Sequence, residues 1–211
     1  MDKSYRKIYK ISDPKFLVNF WFYNKKIIIG VIIGVLAIIW AGVSCSKIKR
    51  PDVSILYVSS STVDDSKVNE VEQEFAELIE DTNGDGECVV RLIVISVPDG
   101  VTQEVDTANT SRVNTEIING DSNIIIGEKS RIKAFLKQQE FFQSINSFGN
   151  PYVSGDFAVD IKNTIFARKM EYSQNTPLCL MIKGGENDVD ETKSLMYTQS
   201  LLLAEKIMSE K

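Results

Sequence analysis

The chain of 211 residues contains no histidine. This absence excludes catalytic triads built on Ser–His or Cys–His pairs, and it removes the nitrogen ligand most common in zinc sites. The chain has only three cysteines, too few for a disulfide framework. Ser–Lys or carboxylate chemistry remains as the enzymatic alternative. With no nucleophile motif in the sequence, we expect a protein that is not an enzyme.

Charge is unevenly distributed along the chain, whose net value is −5. The first 26 residues contain seven basic and two acidic side chains, a net +5, and Lys47, Lys49 and Arg50 add +3. The remainder, from Pro51 onward, therefore carries −13. Nucleic-acid binding requires clustered Lys and Arg to contact phosphates, so this acidic body is not expected to have a nucleic-acid partner.

An uncharged segment of 19 residues, Ile27–Cys45, separates the basic tail from the body. A helix of this length is long enough to span the apolar core of a bilayer. The larger excess of Lys and Arg precedes the segment, which predicts a cytoplasmic N-terminus. We therefore expect a single-pass cell-membrane protein with a cytoplasmic tail (residues 1–26), a transmembrane helix (27–45), a linker (46–52) and an extracytoplasmic domain (53–211).

Two processed forms are alternatives to an uncleaved anchor. A cleaved signal peptide would have a shorter apolar core and a much shorter basic leader than the 26 residues found here. A lipoprotein is suggested by Val43-Ser44-Cys45, because a cysteine in that setting can be acylated. Gly42 stands where a leucine-like residue is expected, and the long leader again disagrees. The uncleaved anchor is the prediction.

The residues around this segment suggest two further contacts. Ser12-Asp13-Pro14 is typical of a helix start, and the aromatic residues that follow predict a helix in the headgroup layer of the lipid bilayer. Lipid sensing or partner docking is the alternative role for that helix. Gly30 and Gly34 form a G-x-x-x-G motif, which allows close approach of two helices and suggests a homodimer through the span.

The body alternates apolar strands with amphipathic helices. This order predicts an α/β fold, a three-layer sandwich with a mostly parallel sheet, preceded by the transmembrane helix. The expected strands are 53–59, 88–97, 123–127, 157–168 and 178–183, and the expected helices are 64–79, 107–118, 131–145 and 190–208.

The order of these motifs resembles one lobe of the extracytoplasmic solute-binding proteins. The resemblance covers residues 52–147 and rests on the strand VVRLIVISV and on the segment from TANTSRVNTEIINGDSNIIIGEKS to IKAFLKQQEFFQSI. A full member of that family has two lobes and a hinge, whereas this body has the length of one lobe. The resemblance therefore implies a membrane-tethered, single-lobe relative.

A single lobe cannot close over a solute by itself, so we expect a binding or interaction module whose partner is a protein. Candidate partners are another membrane subunit, a second copy of the chain or a component of the cell envelope. A metal-dependent extracellular hydrolase and a purely structural membrane protein are the alternative functions.

A ligand site is expected at the carboxyl ends of the strands, where open parallel sheets bind their ligands. Three loops meet this description, at residues 59–62, 99–106 and 127–130. In the simpler alternative one hydroxyl of the serine-rich turn caps the next helix and the others face water. The candidate ligand-binding residues are Ser59, Ser60, Ser61, Thr62 and Glu128.

A second candidate site is the segment from Asp81 to Glu87, DTNGDGE, which begins like a calcium-binding loop. The twelfth position, where an EF-hand has a bidentate Glu, is Leu92, so an EF-hand is excluded. A partial calcium loop with Asp81, Asn83, Asp85 and Glu87 as ligands remains the hypothesis. The alternative is an Asp/Asn/Gly turn that needs no metal, and no other cofactor is expected.

Overall fold

A computed structural model describes residues 14–46, 50–98, 100, 102–173, 175–184 and 191–210. The chain divides into two units, residues 1–49 and the body, residues 50–211. The tail before Pro14, linker residues 47–49, and residues 99 and 101 of the loop at 99–106 lie outside the described residues. Predictions that concern them are therefore not addressed by the structure.

The N-terminal unit contains one continuous helix, α1 (Pro14–Ser46), of 33 residues. Large apolar side chains are exposed along it from Phe20 to Trp40. A methyl group placed on Gly30 or Gly34 would meet no atom within 4 Å, so both glycines face open space in the single chain. Across the residues that the structure describes, no helix combines the length and the apolar character needed to cross a bilayer.

The body is an α/β domain built around a six-stranded sheet, so the α/β class predicted for it is confirmed. Its strands are β1 (Val53–Ser59), β2 (Val90–Ser96), β3 (Ile124–Glu128), β4 (Tyr152–Ser154), β5 (Ala158–Asp160) and β6 (Leu178–Ile182). Its α-helices are α2 (Asp65–Ala76), α3 (Gln103–Asn119), α4 (Ile165–Lys169) and α5 (Glu191–Ser209), and short 3₁₀ turns occupy Phe135–Lys137 and Gln139–Phe141.

The sheet is mixed, which corrects the expectation of a mostly parallel one. The strand order is β2-β1-β3-β6-β5-β4. Strand β1 pairs in parallel with both β2 and β3, as the alternation of strands and helices predicts. From β3 onward every neighbouring pair is antiparallel. The parallel arrangement therefore holds for β2, β1 and β3 alone.

Helices cover both faces of this sheet, because successive strand residues point to opposite sides. One face carries Tyr57 and packs against α2, α4 and α5. Its centre is an aromatic cluster in which the rings of Tyr57 and Phe166 meet edge to face, with centroids 5.7 Å apart. The opposite face carries Val58 and packs against α3 and the segment that follows β3. The body is therefore an α/β sandwich with two cores.

The prediction of a long helix at residues 131–145 is wrong. Ile132, Phe135 and Leu136 are buried at helical spacing, but the helical structure described in this segment is limited to the two 3₁₀ turns. Beyond them the chain becomes extended. Phe142 forms a β-bridge with Lys183, and the N–H of Gln143 donates to the carbonyl of Ile182 at 2.9 Å. Pairing with the end of β6 has replaced helical hydrogen bonds.

The strand predicted at 157–168 is also too long. The strand β5 ends at Asp160, whose Oδ1 accepts the N–H of Lys162 at 3.0 Å and turns the chain out of the sheet. Thr164 then precedes the short helix α4. The edge strand β4, at Tyr152–Ser154, lies between the expected elements at 131–145 and 157–168, where the sequence predicts neither a helix nor a strand.

Candidate functional site

The candidate site lies at the carboxyl ends of β1 and β3. The connection after β1 places α2 on the face of Tyr57, and the connection after β2 places α3 on the opposite face. With strand order 2-1-3, the direction of winding therefore reverses between β1 and β3. Open α/β sheets bind their ligands outside the strand ends at such a switch point.

The side chain of Glu128 occupies this switch point. Its Oε1 accepts the backbone N–H of Ser60 at 2.8 Å and the hydroxyl of Ser60 at 2.8 Å, and it lies 3.5 Å from the hydroxyl of Ser59. Glu128 is only 3% exposed. The Ser59 Oγ also accepts the N–H of Ser61 at 3.1 Å. A carboxylate from β3 thus holds the turn that follows β1.

Local packing fixes the backbone on both sides of Glu128. The carbonyl of Glu128 accepts the N–H groups of Arg131 and Ile132, at 2.8 and 3.1 Å, which folds the chain back over the strand end. This return requires glycine at position 127, because a Cβ there would lie 2.6 Å from Cγ2 of Ile132. The chain that follows Glu128 is therefore packed closely against the end of β3, while the bonds to Ser60 hold the carboxylate beside β1.

Four of the five predicted ligand residues are brought together, but they bond to one another. Ser59 is buried, Ser60 is half-buried and Ser61 is exposed, while Thr62 is exposed and lies outside the network. None of the four hydroxyl residues, 59–62, caps α2. Asp64 performs that role by accepting the N–H of Ser66 at 2.9 Å. The Glu128 carboxylate thus already accepts the Ser60 donors that an anionic ligand at this turn would need.

Sequence reasoning missed several buried groups beside Glu128. Asp160 ends β5 at the same edge of the sheet, where it stands opposite Cys179 and accepts the N–H of Leu178 at 3.2 Å. Burial, with a contribution from the charge of Asp160, raises the pKa of the Cys179 thiol to about 12. Burial and the nearby Glu128 charge raise the pKa of Tyr57 to about 12, although a hydrogen bond with Ser59 opposes the shift.

These pKa values argue against nucleophilic catalysis at this edge. A thiol reacts as the thiolate, and Cys179 stays protonated at neutral pH. Cys88 lies elsewhere, just before the start of β2, and is half-buried. Burial raises the pKa of its thiol as well. The signal that could have identified Asp160 is a lone acidic residue ending an apolar strand, which is common and carries little information by itself.

The predicted calcium loop is closed by its own hydrogen bonds. The Asp81 carboxylate accepts the N–H groups of Asn83, Gly84 and Gly86 at 3.1, 2.7 and 2.8 Å, and these bonds lower its pKa. Gly84 and Gly86 have φ values of 73° and 86°, which favour glycine.

Two of the remaining predicted ligands, Asn83 and Asp85, also accept backbone N–H groups of this loop. Asn83 Oδ1 accepts the N–H of Asp85, and Asp85 Oδ1 accepts that of Glu87, each at 3.0 Å. Within the described ranges no group of three or more His, Cys, Asp or Glu side chains is arranged to hold a metal ion. Calcium binding stays a prediction of the sequence.

Asp52, which the sequence did not single out, anchors this loop to the sheet. It is fully buried. Its Oδ1 accepts the N–H and the hydroxyl of Thr82 at 2.7 and 2.8 Å, and its Oδ2 accepts the N–H of Val89 at 2.8 Å. A buried carboxylate with this many donors joins the start of β1 to the connection before β2, so its role is structural.

A small cavity of about 140 Å³ lies away from the switch point. Drug-sized ligands usually occupy pockets of about 300 to 1,000 Å³, so this cavity suits at most a few water molecules. Its lining combines the segment after Phe142, the end of β6 and α5, through Gln143, Ser144, Ile145, Asn146, Ile182, Leu201, Glu205 and Met208.

Comparison with known proteins adds no further assignment. No protein-family model, curated protein or solved structure matches the chain.

Proposed function

We propose that this chain is a single-pass, membrane-anchored extracytoplasmic module that binds another protein through the surface of its body. The support for the anchor is the uncharged sequence Ile27–Cys45, whose large apolar side chains are exposed from Ile27 to Trp40. Those 14 residues span about 21 Å, which is short of a bilayer core of about 30 Å. The uncharged sequence continues to Cys45, still inside α1, and brings the length to about 28 Å.

The distribution of charge supports the orientation. Seven basic residues precede the uncharged run, against the three that follow it between Cys45 and Pro51. Cytoplasmic flanks of membrane helices are enriched in Lys and Arg. The tail is therefore cytoplasmic and the acidic body lies outside the cell.

The switch point is closed, because Glu128 occupies it and accepts hydrogen bonds from the turn that follows β1. This observation favours a protein partner over a small solute. The Ser60 N–H, the donor best placed for a polar or anionic ligand, is bonded to the buried Glu128. A solute would have to displace this carboxylate, and an anionic solute would be repelled by it. Binding through the outer surface of the body requires no such rearrangement.

The first half of α3 provides a candidate contact surface. From Glu104 to Arg112 no side chain is buried, and the buried residues described in this helix are Val113 and Ile117 in its second half. The exposed half is rich in Asp, Asn, Thr and Ser, which are poor helix formers. Helices gain most of their stability from packing of their side chains. A partner that contacts this half would therefore stabilise a part of α3 whose side chains are not buried against the body.

Site-specific crosslinking in intact cells tests the proposal. A photo-reactive residue at Ala108, in the exposed half of α3, should give one reproducible protein adduct. The same residue at Thr198, which is exposed on α5, is the matched control and should not give that adduct. The substitution Asp106→Lys should weaken the adduct at position 108.

Two outcomes would contradict this function. An absence of any adduct at position 108, or identical adducts at 108 and 198, would remove α3 as a contact surface. A small solute that raises the thermal midpoint of the purified chain, in a manner lost on substitution of Ser60, would reassign the protein to solute capture.

A further inference from the structure

We propose that Trp21, Phe22, Lys25 and Lys26 form a patch that binds the phosphate headgroups of anionic phospholipids at the cytoplasmic membrane surface. This inference rests on the proposed membrane anchor and adds a lipid preference to it.

The helix places these four side chains next to one another. Trp21 and Lys25 are four residues apart, as are Phe22 and Lys26, so the two pairs lie side by side along α1. The Lys25 Nζ lies 5.9 Å from the centre of the Phe22 ring. Trp21 is 50% exposed, Phe22 is 68% exposed and both lysines are exposed. The patch thus combines two ammonium groups with two accessible aromatic rings.

The charge of this patch is not balanced within its helix. The sequence of α1 contains no Asp or Glu, and the lysines come immediately before Ile27, the first residue of the uncharged run. In a membrane-spanning helix this puts the Cα atoms of both lysines within about 3 Å, along the axis, of the edge of the apolar core. At that depth lipid phosphates are the most abundant counter-ions, and lysine stems can extend toward them.

The aromatic residues favour a lipid over a protein as the occupant. Tryptophan is enriched at membrane interfaces, where its ring contacts acyl chains and its N–H remains in the polar layer. Anionic lipids attract juxtamembrane lysines with about 1 kcal/mol per residue, which corresponds to a preference on the order of fivefold for each lysine. The patch is continuous with the proposed span, so both parts of it meet the same bilayer surface.

Brominated lipids, which quench nearby tryptophan fluorescence, test this inference with the full chain. The chain has two tryptophans, so Trp40→Phe leaves Trp21 as the reporter. It is reconstituted into phosphatidylcholine vesicles that contain an equal small fraction of brominated phosphatidylglycerol or brominated phosphatidylcholine. Brominated phosphatidylglycerol should quench Trp21 several-fold more strongly. Adding Lys25→Gln and Lys26→Gln should remove that difference and keep the quenching by phosphatidylcholine.

A second variant provides the matched control. With Trp21→Phe, the remaining Trp40 reports the far end of the uncharged run, and its quenching should not respond to the two lysine substitutions. Equal quenching of Trp21 by both lipids, or a phosphatidylglycerol preference that survives loss of both lysines, would overturn the inference and leave the anchor intact. No quenching of either tryptophan by either lipid would instead refute the anchor itself.

Discussion

Replacing Glu128 with alanine should loosen the turn that follows β1 and destabilise the body. The substitution removes the acceptor of two 2.8 Å hydrogen bonds from Ser60, one from its N–H and one from its hydroxyl. Hydrogen bonds to charged groups contribute about 1.5 to 3 kcal/mol each, so the gross loss is about 3 to 6 kcal/mol.

Two effects reduce this loss. The variant no longer buries a carboxylate, and that burial costs several kcal/mol in the wild type. Ser60 is half-buried, so water can reach part of the freed donors. We therefore expect Glu128→Ala to lower the free energy of unfolding by about 1 to 3 kcal/mol, equivalent to a fall of roughly 2 to 10 °C in Tm for a domain of this size.

The matched control is Glu128→Gln, which keeps an acceptor oxygen and removes the charge. It should lower the unfolding free energy by about 1 kcal/mol or less. Both variants are compared with wild type by thermal unfolding of the full chain in a mild detergent. Sulfate should stabilise Glu128→Ala more than wild type, because the Ser60 N–H is then free to bind an anion. A Glu128→Ala chain as stable as wild type, with no response to sulfate, would refute the closed switch point.

Three further predictions follow from buried groups. Asp52→Ala should lower the unfolding free energy by about 3 kcal/mol, measured by denaturant unfolding, because the N–H groups of Thr82 and Val89 lose the buried carboxylate that accepts them; a loss below about 1 kcal/mol would contradict the structural role of Asp52. In the native chain at pH 8, peptide mapping after alkylation should find Cys88 modified and Cys179 protected, and equal labelling would contradict the burial of Cys179. Since the pKa of Tyr57 is raised from 10 to about 12, its contribution to stability should be full below pH 10 and lost as pH rises to about 12; the loss should be smaller in Tyr57→Phe, and an equal loss in both chains would be evidence against the shift.

The sequence predicts best the strands and helices whose buried apolar residues recur at a regular spacing along the chain. Strand β1 occupies Val53–Ser59 as expected, and β2, β3 and β6 lie within one or two residues of their predicted ends. The helices α2, α3 and α5 were also predicted, although α3 begins four residues earlier than expected. Uninterrupted apolar runs and helical periodicity are strong signals because the chain buries those residues directly.

The failures occur where distant contacts override local pattern. Phe142 has helical spacing from Phe135, but its backbone pairs with Lys183, which lies far along the sequence. The antiparallel half of the sheet depends on the placement of β6 beside β3, which no local signal specifies. Glu128 was predicted as a candidate, but its role in closing the site depends on a turn 68 residues away.

Membrane topology is the most direct test of the central claim. Cells that express the chain with one epitope at each end are treated with protease before and after permeabilisation, and both epitopes are followed by immunoblot. We expect the body epitope to be lost from intact cells and the tail epitope to remain until the membrane is opened. A body that resists protease in intact cells and is cut only after permeabilisation would contradict the extracytoplasmic placement and the function proposed for it.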